Sequence, residues 1–240
     1  MSKSDASLVN YGFKPKDGSS EIDMTPLFLD SGYETKIIIV RHGQSLGNAV
    51  RRFLGTTDLD LSPLGYRQAY RTAEFLSNIK IDAIYASDLK RAFNTAVPHA
   101  KIRGLDVVPC TELREMYAGL WEGLFVEDII KDYHDKFLLE WRDKFGLATL
   151  PEGENVQCAA RRFYKKVLEI ANENKGKTVL IAAHAAVTRA FWGLITKTAP
   201  EDLASAYFYP ENASASVVYF DGCDLIPGEY SHDKHLVDLI

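Results

Sequence analysis

Four β-branched apolar residues in succession, Ile37-Ile38-Ile39-Val40, run straight into Arg41-His42-Gly43. An unbroken run of this kind reads as a strand buried on both faces, as inside a parallel sheet. The abrupt change to a fixed cation and an imidazole places both at the carboxyl edge of that sheet, where open α/β sheets bind ligands. Gly43 lets backbone approach a ligand closely, and Ser45 and Asn48 add donors suited to an oxyanion.

The same transition recurs along the chain. Ile81 to Ala86 is apolar and of strand length, and it ends in Ser87-Asp88. Ser87 is placed to cap a following helix, with Arg91 in its first turn near the positive end of the helix dipole. Thr178 to Ala183 is apolar after its first residue and ends in His184, with a helix expected over 185–194. A further strand is expected from Leu105 to Pro109 and a last one from Ser214 to Phe220.

Helical stretches separate these strands. Ser62 as N-cap and Pro63 in the first turn open a helix with Ala69, Ala73 and Leu76 on one face. Pro98 is expected to end or kink the helix that carries Arg91. Apolar residues at 126, 130, 133, 137, 141 and 145 predict one amphipathic, aromatic helix from Val126 to Phe145, suited to covering a pocket. Val156, Ala160, Phe163, Val167 and Ile170 form the stripe of a long helix that stops near Asn174-Lys175-Gly176.

Strand and helix in alternation imply an α/β three-layer sandwich: a mostly parallel central sheet, helices on both faces, and a small helical cap insertion. The expected organisation is an extension over 1–35, a domain over 36–222 with the cap around 116–150, and a polar tail over 223–240. His232 and His235 in that tail have no carboxylate or cysteine at ligand spacing and read as surface histidines.

In such a fold Arg41, His42, Arg91 and His184 gather at one sheet edge. Four cationic or protonatable groups in one pocket repel each other unless a dianion sits between them, and arginine forks match phosphate oxygens while keeping their charge. The net charge of −5 confines such binding to a local cluster and argues against nucleic acid as the partner. The chain has no apolar run of about 18 residues and so no expected membrane span. Its polar N-terminus and three widely spaced cysteines, read as free thiols, point to the cytoplasm.

The Arg41-His42-Gly43-Gln44-Ser45-x-x-Asn48 segment resembles the Arg-His-Gly-Glu-Thr-x-x-Asn signature of the histidine phosphatases, the superfamily that includes cofactor-dependent phosphoglycerate mutase. Four further motifs follow in the family's order. They are Gly55-Thr56-Thr57-Asp58-Leu59-Asp60-Leu61-Ser62-x-x-Gly65 with Gln68-Ala69, then Ser87-Asp88-Leu89-Lys90-Arg91-Ala92-x-x-Thr95-Ala96, then Leu113-Arg114-Glu115 with Gly119 and Trp121-Glu122-Gly123, and last Pro151-Glu152-Gly153-Glu154. The likeness spans about residues 36–220. Ala185 follows His184 where the family usually has glycine, and Asp60 stands where it commonly has proline.

The resemblance implies a phosphomonoesterase acting on a small-molecule phosphate ester without metal or other cofactor. It makes His42 the nucleophile that becomes a phosphohistidine and Glu115 the proton donor to the leaving oxygen. His184 joins these two as a catalytic residue, with Arg41, Arg91, Asn48 and Ser45 on the phosphoryl oxygens. The family's mutases carry a Glu-Arg-His-Tyr-Gly type motif and a longer insertion. Glu115-Met116-Tyr117-Ala118-Gly119 and the short span to Pro151 therefore favour hydrolysis over phosphoglycerate mutase activity, with a sugar-bisphosphate phosphatase as a further alternative. A rival from another class is a protein that binds a phosphorylated ligand without turnover; His42, Glu115 and His184 together weigh against it.

Overall fold

In the computed structural model, which describes residues 32–239, six strands form one sheet in the order β3-β2-β4-β1-β5-β6. β1 (Thr35–Arg41), β2 (Ala83–Ser87), β3 (Val107–Cys110) and β4 (Lys177–Ala183) are parallel; β5 (Ala215–Phe220) and β6 (Leu225–Pro227) run antiparallel to their neighbours. β1 lies between β4 and β5, so its apolar run is covered from both sides. Ile37 and Ile39 pack into one buried cluster and Ile38 and Val40 into the other, as the alternation of side chains across a strand requires.

The helices supply the outer layers. α1 (Leu46–Ala49) is a single turn, α2 (Pro63–Phe75) and α3 (Lys90–Arg103) cover the face of Ile38 and Val40, and α5 (Val156–Glu173) and α6 (Ala185–Ile195) cover the other. Ser62 caps α2 by accepting from Gly65 N, and Asn155 caps α5 by accepting from Gln157 N and Cys158 N. The predicted stripe of α5 is buried throughout. α4 (Val126–Asp132) and α7 (Leu203–Ala206) are short.

Four expectations are corrected. The segment over 126–145 is not one helix: α4 stops at Asp132, and a wide π-helical turn spans Lys136–Arg142. Its aromatics recur every four residues, at 133, 137, 141 and 145, and such a row drifts around a 3.6-residue turn; a wider turn, with Asp143 N bonded to Leu138 O at 3.2 Å, holds Phe137 and Trp141 inward. Of the two outcomes expected at Pro98, an end to the helix is overturned, since α3 continues to Arg103. Burial of Ala92, Thr95, Ala96, His99 and Ala100 along that helix outweighs the roughly 3 kcal/mol local penalty. Ser87 does not cap α3: the N-cap is Leu89, with Ser87 Oγ accepting from Leu89 N at 3.3 Å.

The fourth correction concerns the tail, which is packed down. β6 extends the sheet, and His232 pairs with Ala215 through both backbone groups. The rings of His232 and His235 stack on Phe75 at 5.2 and 4.4 Å. His235 Nε2 meets Thr72 Oγ1 at 2.9 Å, and Arg71 grips Asp238 through two bonds. Phe75, Thr72 and Arg71 all lie on α2, far away in sequence, so no local pattern announces these contacts. The expected extension falls outside the described residues as far as 31, and Thr35 already belongs to β1.

One buried histidine gives the fold a measurable acid sensitivity. Burial, and then Arg103 and His235, push the His99 imidazole down to about 3, whereas an exposed histidine titrates near 6.5. Between those values the unfolded chain binds the extra proton. His99 therefore leaves stability intact above pH 6.5 and removes up to about 1.4 kcal/mol per pH unit as the pH falls below it. Urea unfolding of His99→Leu is expected to lose stability less steeply than wild type from pH 6.5 to 4.5; equal slopes would refute this.

Candidate active site

The register of β1 on β4 sets the site. Arg41 lies opposite Ala183, so His42 and His184 are each the first residue beyond the paired end of adjacent parallel strands. His42 N donates to Ala183 O at 2.9 Å, and the two imidazoles meet edge to face with centroids 5.2 Å apart.

His42 Nδ1 lies 2.7 Å from Gly43 O. A carbonyl only accepts, so Nδ1 carries the proton and Nε2 keeps its lone pair. Burial, followed by the charges of Arg91 and Arg41, holds this imidazole well below the usual range and therefore neutral. His184 is fully buried beside His42 and is not itself on the cavity lining; neither of its ring nitrogens is paired, and burial followed by Arg91 depresses it in the same way.

The two arginines are anchored by neutral groups. Arg91 is 1% exposed and donates from Nη1 to Thr57 O and from Nη2 to Gly55 O, both at 2.7 Å. Burial lowers it to about 10, which leaves it charged at neutral pH. Arg41 donates from Nη1 to Pro210 O, and the Nε of both arginines has no partner. Among the described residues neither guanidinium forms an ion pair with a carboxylate. Two charged guanidiniums with unpaired Nε groups beside an uncharged imidazole can receive an anion.

Glu115 closes the opposite side. Its Oε1 accepts from Met116 N at 3.0 Å and Val187 N at 2.8 Å, and its Oε2 from Ala186 N at 2.9 Å. The carboxyl thus sits on the N-terminus of α6, with one of its roughly four lone-pair positions, on Oε2, left over. Arg162 fixes the backbone that carries it, donating to Glu112 O, Arg114 O and Glu115 O while pairing with Glu154 at 2.9 Å.

Asn48 Oδ1 accepts from Ser45 N at 3.1 Å and from Asn212 Nδ2 at 3.5 Å, which leaves its NH₂ for the cavity. Ser45 is placed otherwise than expected. It is fully buried, its Oγ accepts from Asn48 N at 3.0 Å, and it lies off the cavity wall. This reciprocal capping box orders α1 and so sets Asn48.

The cavity measures about 430 Å³. Arg41, His42, Asn48, Arg91 and Glu115 form its polar end, and Phe53, Leu54, Met116, Val126, Trp141 and Tyr209 its apolar wall. Arg51, Arg52, Glu211 and Asn212 complete the lining. Among the described residues no three His, Cys, Asp or Glu side chains are grouped to hold a metal ion.

This arrangement coincides with a family match over residues 37–226 to the histidine phosphatase superfamily, branch 1. The chain belongs to that superfamily. The phosphoserine phosphatase 1 of Hydrogenobacter thermophilus is 31% identical over 78% of this chain and 87% of its own length. A metal-independent phosphoserine phosphatase of Arabidopsis thaliana is 31% identical over 84% of this chain and 83% of its own. A mycobacterial glucosyl-3-phosphoglycerate phosphatase, solved as a VO3 complex, superposes with a TM-score of 0.74 and 28% identity over 82% of this chain and 98% of that one.

Within the superfamily's pattern, Ala185 stands on the cavity wall as the first residue of α6. Sequence reasoning passed over Asn212, which donates to His42 O at 2.9 Å, and over Tyr209, whose ring lies 4.4 Å from the Arg189 guanidinium. Both precede β5 in a loop without periodicity.

A nuclear magnetic resonance titration of the histidine side chains is expected to find His42 neutral, with Nδ1 protonated, from pH 8 to pH 5.5. Half-protonation near 6.5 would overturn the electrostatic reading. A second expectation concerns Gly65, where a β-carbon would lie 2.0 Å from Gln44 O. Gly65→Ala must displace the loop carrying His42 and is expected to lower turnover by about tenfold or more, measured as phosphate release.

Proposed function

We propose that this protein hydrolyses the monoester of a small organic phosphate through a phosphohistidine at His42. The observation that carries the reading is a buried imidazole whose Nδ1 faces Gly43 O, leaving Nε2 free to attack, in one cavity with two guanidiniums that, among the described residues, form no ion pair with a carboxylate.

In the first displacement His42 Nε2 forms a bond to phosphorus while the bond to the ester oxygen breaks. Glu115 delivers a proton from Oε2 to the departing oxygen, which leaves as an alcohol. Arg41, Arg91, His184 and the Asn48 amide hold the phosphoryl oxygens as charge redistributes in a water-poor site. In the second displacement Glu115 takes a proton from water, the new hydroxyl attacks phosphorus, and the bond to Nε2 breaks to release inorganic phosphate.

The apolar wall from Phe53 to Trp141 suits an organic moiety beside the phosphate, and the phosphatases named above act, by their names, on phosphoserine and glucosyl-3-phosphoglycerate. We place the protein in the cytoplasm. Its three cysteines are unpaired, with Cys110 buried, and no helix among the described residues is long and apolar enough to cross a membrane.

With an aryl phosphate as substrate, His42→Ala is expected to lose at least about a thousandfold in kcat, as removal of a nucleophile does. Glu115→Gln should lose roughly 10²- to 10⁴-fold, most of all with poor leaving groups. Phosphate release by His42→Ala at the wild-type rate would end the phosphohistidine proposal.

A further inference from the structure

The carboxylate of Glu122, outside the catalytic cavity's lining, accepts hydrogen bonds from five neutral donors and, among the described residues, forms no ion pair. Its Oε1 receives Thr56 N at 2.7 Å, Thr56 Oγ1 at 3.1 Å and Ala118 N at 2.9 Å; its Oε2 receives Thr57 N at 2.8 Å and Thr57 Oγ1 at 2.5 Å. So many donors on one carboxylate fix the loop over 55–57 rigidly. That loop has one evident task. The carbonyls of Gly55 and Thr57 point the other way, onto Nη2 and Nη1 of Arg91.

The loop is shaped around this contact. Gly55 has a φ of +50°, and a β-carbon there would fall 2.2 Å from Glu122 Oε1. The Gly55–Thr56 peptide, whose N–H is held by Glu122, is polarised, and its carbonyl, Gly55 O, becomes a better acceptor for Arg91 Nη2. Glu122 is also among the carboxylates whose charge favours the protonated guanidinium of Arg91, after Glu115 and Asp58. Arg91 is buried and, among the described residues, forms no ion pair with a carboxylate, so its orientation rests on these two carbonyls.

We propose that Glu122 is a positioning residue for phosphate binding, acting on Arg91 through the Gly55–Thr57 loop. The inference rests on the anion site of the preceding subsection but not on the phosphohistidine. Inorganic phosphate, orthovanadate and the phosphoryl group of a substrate should all report it, because each requires the Arg91 fork in place.

The test is a double-mutant cycle with Glu122→Gln and Arg91→Lys, read as the inhibition constant of inorganic phosphate, its dissociation constant by calorimetry, and kcat/KM for an aryl phosphate. Glu122→Gln keeps the shape of the side chain, removes its charge and sets an amide against N–H donors. It is expected to weaken phosphate binding by about tenfold or more and to lower kcat/KM in step. In the Arg91→Lys background, where the fork is already lost, the same change should cost less than about twofold.

A role confined to folding would lower the active fraction, and so kcat, while leaving the inhibition constant of phosphate unchanged; that result, or equal costs in both backgrounds, overturns the proposal. Should Glu122→Gln fail to fold, Thr57→Val removes one of the five donors and is expected to shift phosphate affinity in the same direction, and an unchanged affinity would count against the inference. A wild type that binds phosphate but turns nothing over defeats the catalytic reading and leaves the cycle measurable by calorimetry. A wild type that binds no phosphate defeats both.

Discussion

The pairing of β1 with β4 is the constraint from which the site follows. Parallel strands in fixed register end together, and here Arg41 stands opposite Ala183, so the next residue of each strand is a histidine. A one-residue slip would carry Ile37 and Ile39 into the opposite layer and drive the β1 apolar set out of its cluster. The energy of burying two apolar faces thereby fixes the spacing of two imidazoles. Geometry at the sheet edge is set by packing some way inside it.

Placing charge at that edge has a thermodynamic cost, and the structure meets it with neutral partners. Arg91, buried, and Arg41, half-buried, are held by backbone carbonyls and, among the described residues, by no carboxylate. Pairing each with an acid would satisfy it electrostatically and leave nothing to attract an anion. Carbonyl dipoles satisfy some of the N–H groups and preserve the charge. The depressed affinity of both histidines for protons comes from the same source, since burial and neighbouring guanidiniums disfavour imidazolium. One field therefore both prepares the proposed nucleophile and receives the phosphoryl group.

Around this centre lies a shell whose members touch the site only through others. Ser45 orders Asn48, Arg162 holds the backbone of Glu115, and Gln68 links the catalytic loop to the tail, accepting from Gln44 N at 2.8 Å and donating to Leu239 O at 3.1 Å. Backbone also packs on backbone where Gly43 meets Gly65. Such contacts explain why glycines and small polar residues recur in the motifs although few of them line the cavity.

The sequence by itself determined the layered α/β fold, the strands that end in Arg41, His42 and His184, the long helix over 156–173, and the motif order that marks the family. These features are local: each depends on periodicity, a capping residue or an apolar run, and the energies behind them act between neighbours in the chain. Tertiary structure alone decided the rest. The wide turn over 136–142, the passage of α3 through Pro98 and the stacking of His232 and His235 on Phe75 each depend on partners remote in sequence, whose packing overrides local preference. Ser45 illustrates the limit most plainly, for its hydroxyl suits an oxyanion or a helix N-terminus equally well, and only the closing of α1 assigns it to the second.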